Sequence, residues 1–153
     1  MDRKQKLSRY GRVRGQLAGL LEKTPDPQAR MATVAALLFH KFDHYFWCGF
    51  YRLVNGDLVV GPYQGPLACQ VLARGQGVCW EAVKREGTVI VPDVHNFPGH
   101  IACDSRSRSE IVVPVRNRAG AIVAVLDADS DRLAQFDEAD AEGLQSIVDL
   151  LSI

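Results

Sequence analysis

The chain has 153 residues, 47% apolar and 24% charged, enough to bury a single core without help from disulfides. Its 18 basic and 18 acidic side chains cancel, which removes the electrostatic case for nucleic acid or an anionic membrane and points to a small-molecule partner. The charged N-terminal stretch offers no apolar signal core and no apolar run approaches 18 residues, so a cytoplasmic protein with no membrane association is expected, where free cysteines mean chemistry or packing rather than structural bridges.

In chain order, Leu7, Tyr10, Val13, Leu17 and Leu20 follow a helical period. Thr24-Pro25-Asp26-Pro27 breaks it and supplies Asp26 as an N-cap with proline at the first helical position. A second helix is expected from about Pro27 to Tyr45, with Met31, Val34, Ala35, Leu38 and Phe42 on one face. Trp47 to Val54 and Leu58 to Pro62 read as strands joined at Asn55-Gly56-Asp57, because the Asn-Gly pair tolerates the positive φ of a tight hairpin turn. Ala68 to Leu72 reads as a third strand, Gly77 to Arg85 as a short helix, and Thr88 to Val91 as a fourth strand. A second hairpin, Ile111 to Val115 and Ala121 to Leu126, turns at Asn117 to Gly120. Asp137 then caps a closing helix through Leu144, Ile147, Val148 and Leu151. One domain is expected over 1–153, with an N-terminal helix in 1–25 and a core in 26–153.

Val91 to Glu110 reads as a loop built around a thiol: Cys103 stands among His95, His100, Arg106, Arg108 and Asp104. Cys69 and Cys79, ten residues apart upstream, supply partners for a disulfide, so two-electron thiol redox chemistry is the first hypothesis. Arg106, Arg108 and His100 are the cations available to favour a thiolate, with Asp104 acting the other way. Cys48, alone in an apolar strand, reads as core. Asp127 and Asp129 have period-two spacing and Glu110 opens the neighbouring strand, so three carboxylates are expected to converge. Such a cluster suits an ammonium group, and crowding raises at least one carboxyl's pKa, leaving an acid for proton delivery; Glu110 is the first choice. Trp47 and Tyr51, four apart on one strand face, are placed as an apolar wall, with Asp93 on the same face.

Other patterns carry less. Asp127 to Glu138 has the acidic spacing of a calcium loop, but Arg132 occupies the position that needs glycine. His40 and His44 are one helical turn apart without the glutamate a metalloprotease needs, and a solvated or packing role is expected. His95, His100 and Cys103 lack the close ligand doublet of a structural zinc site, so no metal is expected.

Five strings, FWCGFY at Phe46 to Tyr51, GPYQGPLAC ending at Cys69, GQGVC ending at Cys79, PDVHNFPGHIACDSRSRSE ending at Glu110 and VLDADS at Val125 to Ser130, resemble the GAF-domain free methionine-(R)-sulfoxide reductases. The likeness runs from about Thr33 to the C-terminus. It implies an α+β GAF-like domain, a central antiparallel sheet of about six strands flanked by helices, and a homodimer. It also implies reduction of free methionine-(R)-sulfoxide with no bound cofactor and thioredoxin as external reductant. By this resemblance Cys103 attacks and Cys69 resolves, while Cys79 relays the disulfide or serves as an alternative partner. The rival reading is a GAF-type small-molecule or redox sensor without turnover. It is disfavoured at this point because no output domain follows Ile153.

Overall fold

A computed structural model of the protein describes residues 1–100 and 103–153. Ile101 and Ala102, inside the thiol-bearing loop expected above, lie outside the described residues. Helices α1 (Arg3–Leu20) and α2 (Pro27–Lys41) are followed by strands β1 (Trp47–Val54), β2 (Asp57–Gln64) and β3 (Val71–Leu72). Next come helix α3 (Gly77–Arg85), strands β4 (Val89–Val91), β5 (Ser109–Arg116) and β6 (Ile122–Ser130), and helix α4 (Glu138–Val148). The six strands form one sheet in the order β3-β2-β1-β6-β5-β4, every pair antiparallel. The architecture is α+β, one six-stranded antiparallel sheet flanked by helices, as the resemblance implies.

Strand alternation divides the chain into two cores. Cys48 and Phe50 of β1, Ile111, Val113 and Val115 of β5, and Leu126 and Ala128 of β6 face α1, α2 and α4, where Tyr10, Leu17, Leu38, Leu144 and Ile147 complete the larger core. The alternate residues, Trp47, Tyr51, Val112 and Val125, face the other way and pack with Val78, Cys79 and Ala82 of α3 and with Val89, Val91 and Val94. Cys48 is fully buried in the first core, a packing residue as its apolar strand implied.

Local chemistry explains most boundaries. Asp26 accepts from Ala29 N at 2.9 Å to cap α2, and Asp137 accepts from Ala139 N at 2.9 Å to cap α4. Asn55 and Gly56 take φ of 52° and 82°, the pair of positive values that a two-residue hairpin turn of the right twist requires. In the second hairpin the Asn117 side chain accepts from Ala119 N and Ala121 N, both at 3.0 Å, replacing ladder bonds across the turn.

Several expectations shift, among them these. The second helix ends at Lys41 rather than Tyr45 because Phe42 turns to extended backbone, which carries Phe42 and Tyr45 into a stack with Tyr10. The third strand keeps only Val71–Leu72, since Cys69 is drawn toward Cys103 instead of continuing the ladder. On α1 the inward stripe is Lys6, Tyr10, Val13 and Leu17, and Leu20 is exposed.

The buried lysine has a reason. Lys6 Nζ lies 2.5 Å from Asp140 Oδ2 and donates to Gln135 O at 2.9 Å. Asp140 also accepts from Tyr10 Oη at 2.6 Å and His44 Nε2 at 3.1 Å, and Tyr45 Oη lies 2.6 Å from Tyr10 Oη. His44 thus packs inside a polar network that ties α1 and the α2–β1 connection to α4.

Candidate active site

Strand register places the acids. In β6, Asp129 stands between Trp47 of β1 and Glu110 of β5, and Asp127 stands between Gly49 of β1 and Val112 of β5. The three carboxylates therefore project from one face of two adjacent strands, the arrangement that their spacing implied. Glu110 and Asp127 are almost fully buried, at 5% and 6% exposure, while Asp129 keeps an edge open to the cavity.

Aromatic rings form the adjoining wall. Trp47 stacks on Tyr51 with centroids 5.9 Å apart and on Tyr63 at 5.3 Å. Gly49 makes this possible, because a Cβ there would lie 2.3 Å from Tyr63 Cβ and 2.7 Å from the Trp47 ring. Tyr51 Oη donates to Cys69 O at 3.0 Å, tying the wall to the loop that carries the cysteine. Tyr63 and Phe46 were not anticipated; the signal for Tyr63 was the β1–β2 register, which sets it opposite Gly49.

Cys69 and Cys103 are joined by a disulfide, with Cα atoms 5.5 Å apart. Cys103 is exposed and Cys69 half-buried, whereas Cys79 is a free thiol only 3% exposed near the start of α3. Cys79, Cys103, Trp47, Tyr51 and the three acids all line one cavity of about 70 Å³, against the roughly 10–15 Å³ that one water needs. No lysine or arginine is among the described residues lining it.

Asp93 does not join them. It accepts from His95 N at 3.0 Å, capping the short turn Val94–Asn96, and faces a separate surface hollow lined by Pro92 and Phe97. The chain leaves the sheet after Val91, so the strand alternation that put Asp93 with Trp47 and Tyr51 no longer applies.

The expected cations are also redistributed. Arg106 donates to both carboxylate oxygens of Asp104, at 2.9 and 2.7 Å, and its guanidinium lies 4.9 Å above the Phe46 ring. That pairing holds the Asp104 carboxyl at about 2, so each charge largely cancels the other beside Cys103. Burial, helped by His95, pushes the His100 pKa down and favours a neutral ring. Its Nδ1 lies 4.0 Å from Glu110 Oε1. Arg108 is exposed.

Burial, then the negative charges of Asp127 and Asp129, raises Glu110 well above the carboxylate range. Asp129 is raised for the same first reason and by Asp127. Asp127 is raised by burial too, but the protons of the neighbouring Glu110 and Cys79 oppose the rise. The site thus holds carboxylic acid and carboxylate side by side. Cys79, Glu110 and Asp127 offer ligand atoms within 4.8 Å of one another, a spacing a metal could use. Burial holds both the thiol and Glu110 on the protonated side, so the three neighbouring groups share protons. Three buried atoms of cavity-lining residues, Trp47 Nε1, His100 Nε2 and Asp127 Oδ1, have no hydrogen-bond partner among the described residues.

The GAF domain family matches residues 25–153. The chain is 46% identical over 147 residues to GAF domain-containing protein A of Dictyostelium discoideum, covering 95% of this chain and 92% of that relative. It is 44% identical over 122 residues to free methionine-R-sulfoxide reductase of Escherichia coli, covering 78% of this chain and 72% of the relative. The free methionine-R-sulfoxide reductase of Neisseria meningitidis, solved in complex with its substrate, is similar at TM-score 0.92 and 44% identity, with 99% of this chain and 89% of that chain covered. With Cys79, Cys103, the acids and the aromatic wall gathered at one cavity, the chain belongs to the GAF-domain free methionine-R-sulfoxide reductase family.

Proposed function

We propose that the chain reduces free methionine-(R)-sulfoxide to methionine, with Cys103 as nucleophile, Cys69 as resolving thiol and thioredoxin as reductant. The observation that carries the reading is the Cys69–Cys103 disulfide at the rim of a cavity whose wall is the acid cluster. Relatives named as free methionine-R-sulfoxide reductases support the choice of substrate.

Cys103 thiolate attacks the sulfoxide sulfur while Glu110 delivers a proton to the oxygen, giving a sulfurane with a new S–S bond; the hydroxyl then passes to the Cys103 sulfur as that S–S bond and the substrate S–O bond break, so methionine leaves and Cys103 becomes a sulfenic acid. The Cys69 thiol then attacks that sulfur, expelling water and forming the disulfide. Two electrons have passed from the thiol pair to the sulfoxide, and an external dithiol restores them by exchange at the exposed disulfide. The substrate's α-ammonium, which a methionine residue inside a polypeptide lacks, is held by Asp127 and Asp129 in a cavity that no lysine or arginine lines among the described residues. Trp47 and Tyr51 enclose the S-methyl group, and Trp47 Nε1 offers its hydrogen bond to a ligand acceptor.

The test is NADPH consumption in a thioredoxin-coupled assay with free methionine-(R)-sulfoxide. Wild type is expected to turn over, Cys103→Ser to be inactive, and Cys69→Ser to complete about one turnover per chain without sustained activity. Full steady-state turnover by Cys103→Ser would reject the reading.

A further inference from the structure

Cys79 is the thiol the reaction above leaves without a task. Its position near the N-terminus of α3 would ordinarily favour a thiolate. Every other influence opposes that. The side chain is 3% exposed, and it faces Glu110 from β5, Asp127 and Asp129 from β6, and the Tyr51 phenol from β1. His100 approaches the same cluster at Glu110, its Nδ1 4.0 Å from Oε1. A thiol walled by carboxyls is poorly nucleophilic, while the sulfurs of Cys69 and Cys103 are already bonded to each other. What Cys79 can do is donate. Its sulfur and one oxygen each of Glu110 and Asp127 lie within 4.8 Å of one another, and Asp127 Oδ1 is buried with no partner among the described residues.

Resting on the reductase reading, we infer that Cys79 is not a redox thiol but a positioning residue: its S–H donates to Asp127, keeping that carboxylate ionised for the substrate ammonium and leaving the shared proton on Glu110. In this arrangement Asp127 would still have one free oxygen for the ligand, and the acid and the ammonium-binding anion are kept distinct although the two groups are neighbours. Protonating Asp127 weakens ammonium binding, so Cys79 shifts the acid limb of the pH profile. Removing the donor makes Asp127 easier to protonate and moves that limb to higher pH.

The experiment compares wild type, Cys79→Ser and Cys79→Ala for kcat/KM against pH, for calorimetric binding of free methionine against pH, and for disulfide mapping after one turnover. Cys79→Ser, which restores an O–H donor, is expected to stay within about threefold of wild type with the limb unmoved. Cys79→Ala is expected to move the limb, in rate and in binding, up by about one pH unit, which is about tenfold on the acid side. Both are expected to form the Cys69–Cys103 disulfide. Loss of turnover in a folded Cys79→Ser, or a disulfide mapped to Cys79 in wild type, would make it a redox thiol and overturn the inference even if Cys79→Ala did not fold. An unmoved limb in a folded Cys79→Ala would reduce Cys79 to packing and overturn it too. An inactive wild type would instead reject the reductase reading, while the binding profile would still test the donor.

Discussion

Glu110 is buried beside two other carboxyls, and burial, followed by repulsion from Asp127 and Asp129, favours its neutral form. An acid of this kind works only while protonated, so the rate falls as pH rises through its elevated pKa. Replacing it with glutamine keeps the volume and a hydrogen-bond donor but removes the transferable proton. Glu110→Gln is expected to lower kcat by more than about tenfold and to abolish the alkaline limb of the kcat profile. Calorimetric affinity for free methionine is expected to stay within a few-fold, because Asp127 and Asp129 remain to take the ammonium. A kcat within twofold of wild type would reassign the proton donor.

Helix α1 lies outside the GAF match, yet it is fastened to α4 by Asp140. Burial pushes that carboxyl up, but hydrogen bonds from His44, Lys6 and Tyr10 outweigh it and hold the pKa at about 2. A depressed carboxyl stabilises the fold fully above its unfolded pKa, about 3.9, and the contribution, on the order of 2–3 kcal/mol, is lost as pH falls toward 2. Asp140→Asn leaves the Lys6 ammonium buried beside a neutral partner and is expected to destabilise by about 2–4 kcal/mol. In a chain of this length that lowers Tm by roughly 5–15 °C, and the variant is expected to lose much of the wild type's decline in Tm below pH 4. Calorimetric melts between pH 2 and pH 7 read both effects.

This fastening was invisible in the sequence, because Lys6, His44 and Asp140 share no period and meet only through the fold. The strands and hairpins were legible because Asn55-Gly56 and Asn117 to Gly120 carry turn chemistry in their own residues. The convergence of Glu110 with Asp127 and Asp129 was legible for a related reason: period two and hairpin adjacency determine the face without further contacts. Asp93 was misplaced because a local turn, capped by Asp93 itself, interrupts the alternation. The pairing of Arg106 with Asp104 depends on rotamers that spacing does not encode.

The sheet divides the molecule unequally. On one side three helices bury a large core; on the other, α3 and two loops roof the cavity, and the loops are bridged by Cys69–Cys103. Closing a span of 34 residues limits the unfolded chain by up to about 4 kcal/mol, so the oxidised protein is expected to melt higher than the reduced one. The gain should act locally as well. Roof segments with few buried contacts open more readily than the sheet, and the disulfide joins two of them. Hydrogen exchange is therefore expected to accelerate on reduction at residues 66–76, 92–100 and 103–108 and to stay unchanged in β5, β6 and α4. Cys69→Ser should resemble the reduced protein under both conditions. Acceleration spread evenly over sheet and roof would mean that the disulfide supports the whole fold; confined to the roof, it would show that the redox cycle loosens and tightens the cover of the substrate cavity while the acid cluster stays fixed on its strands.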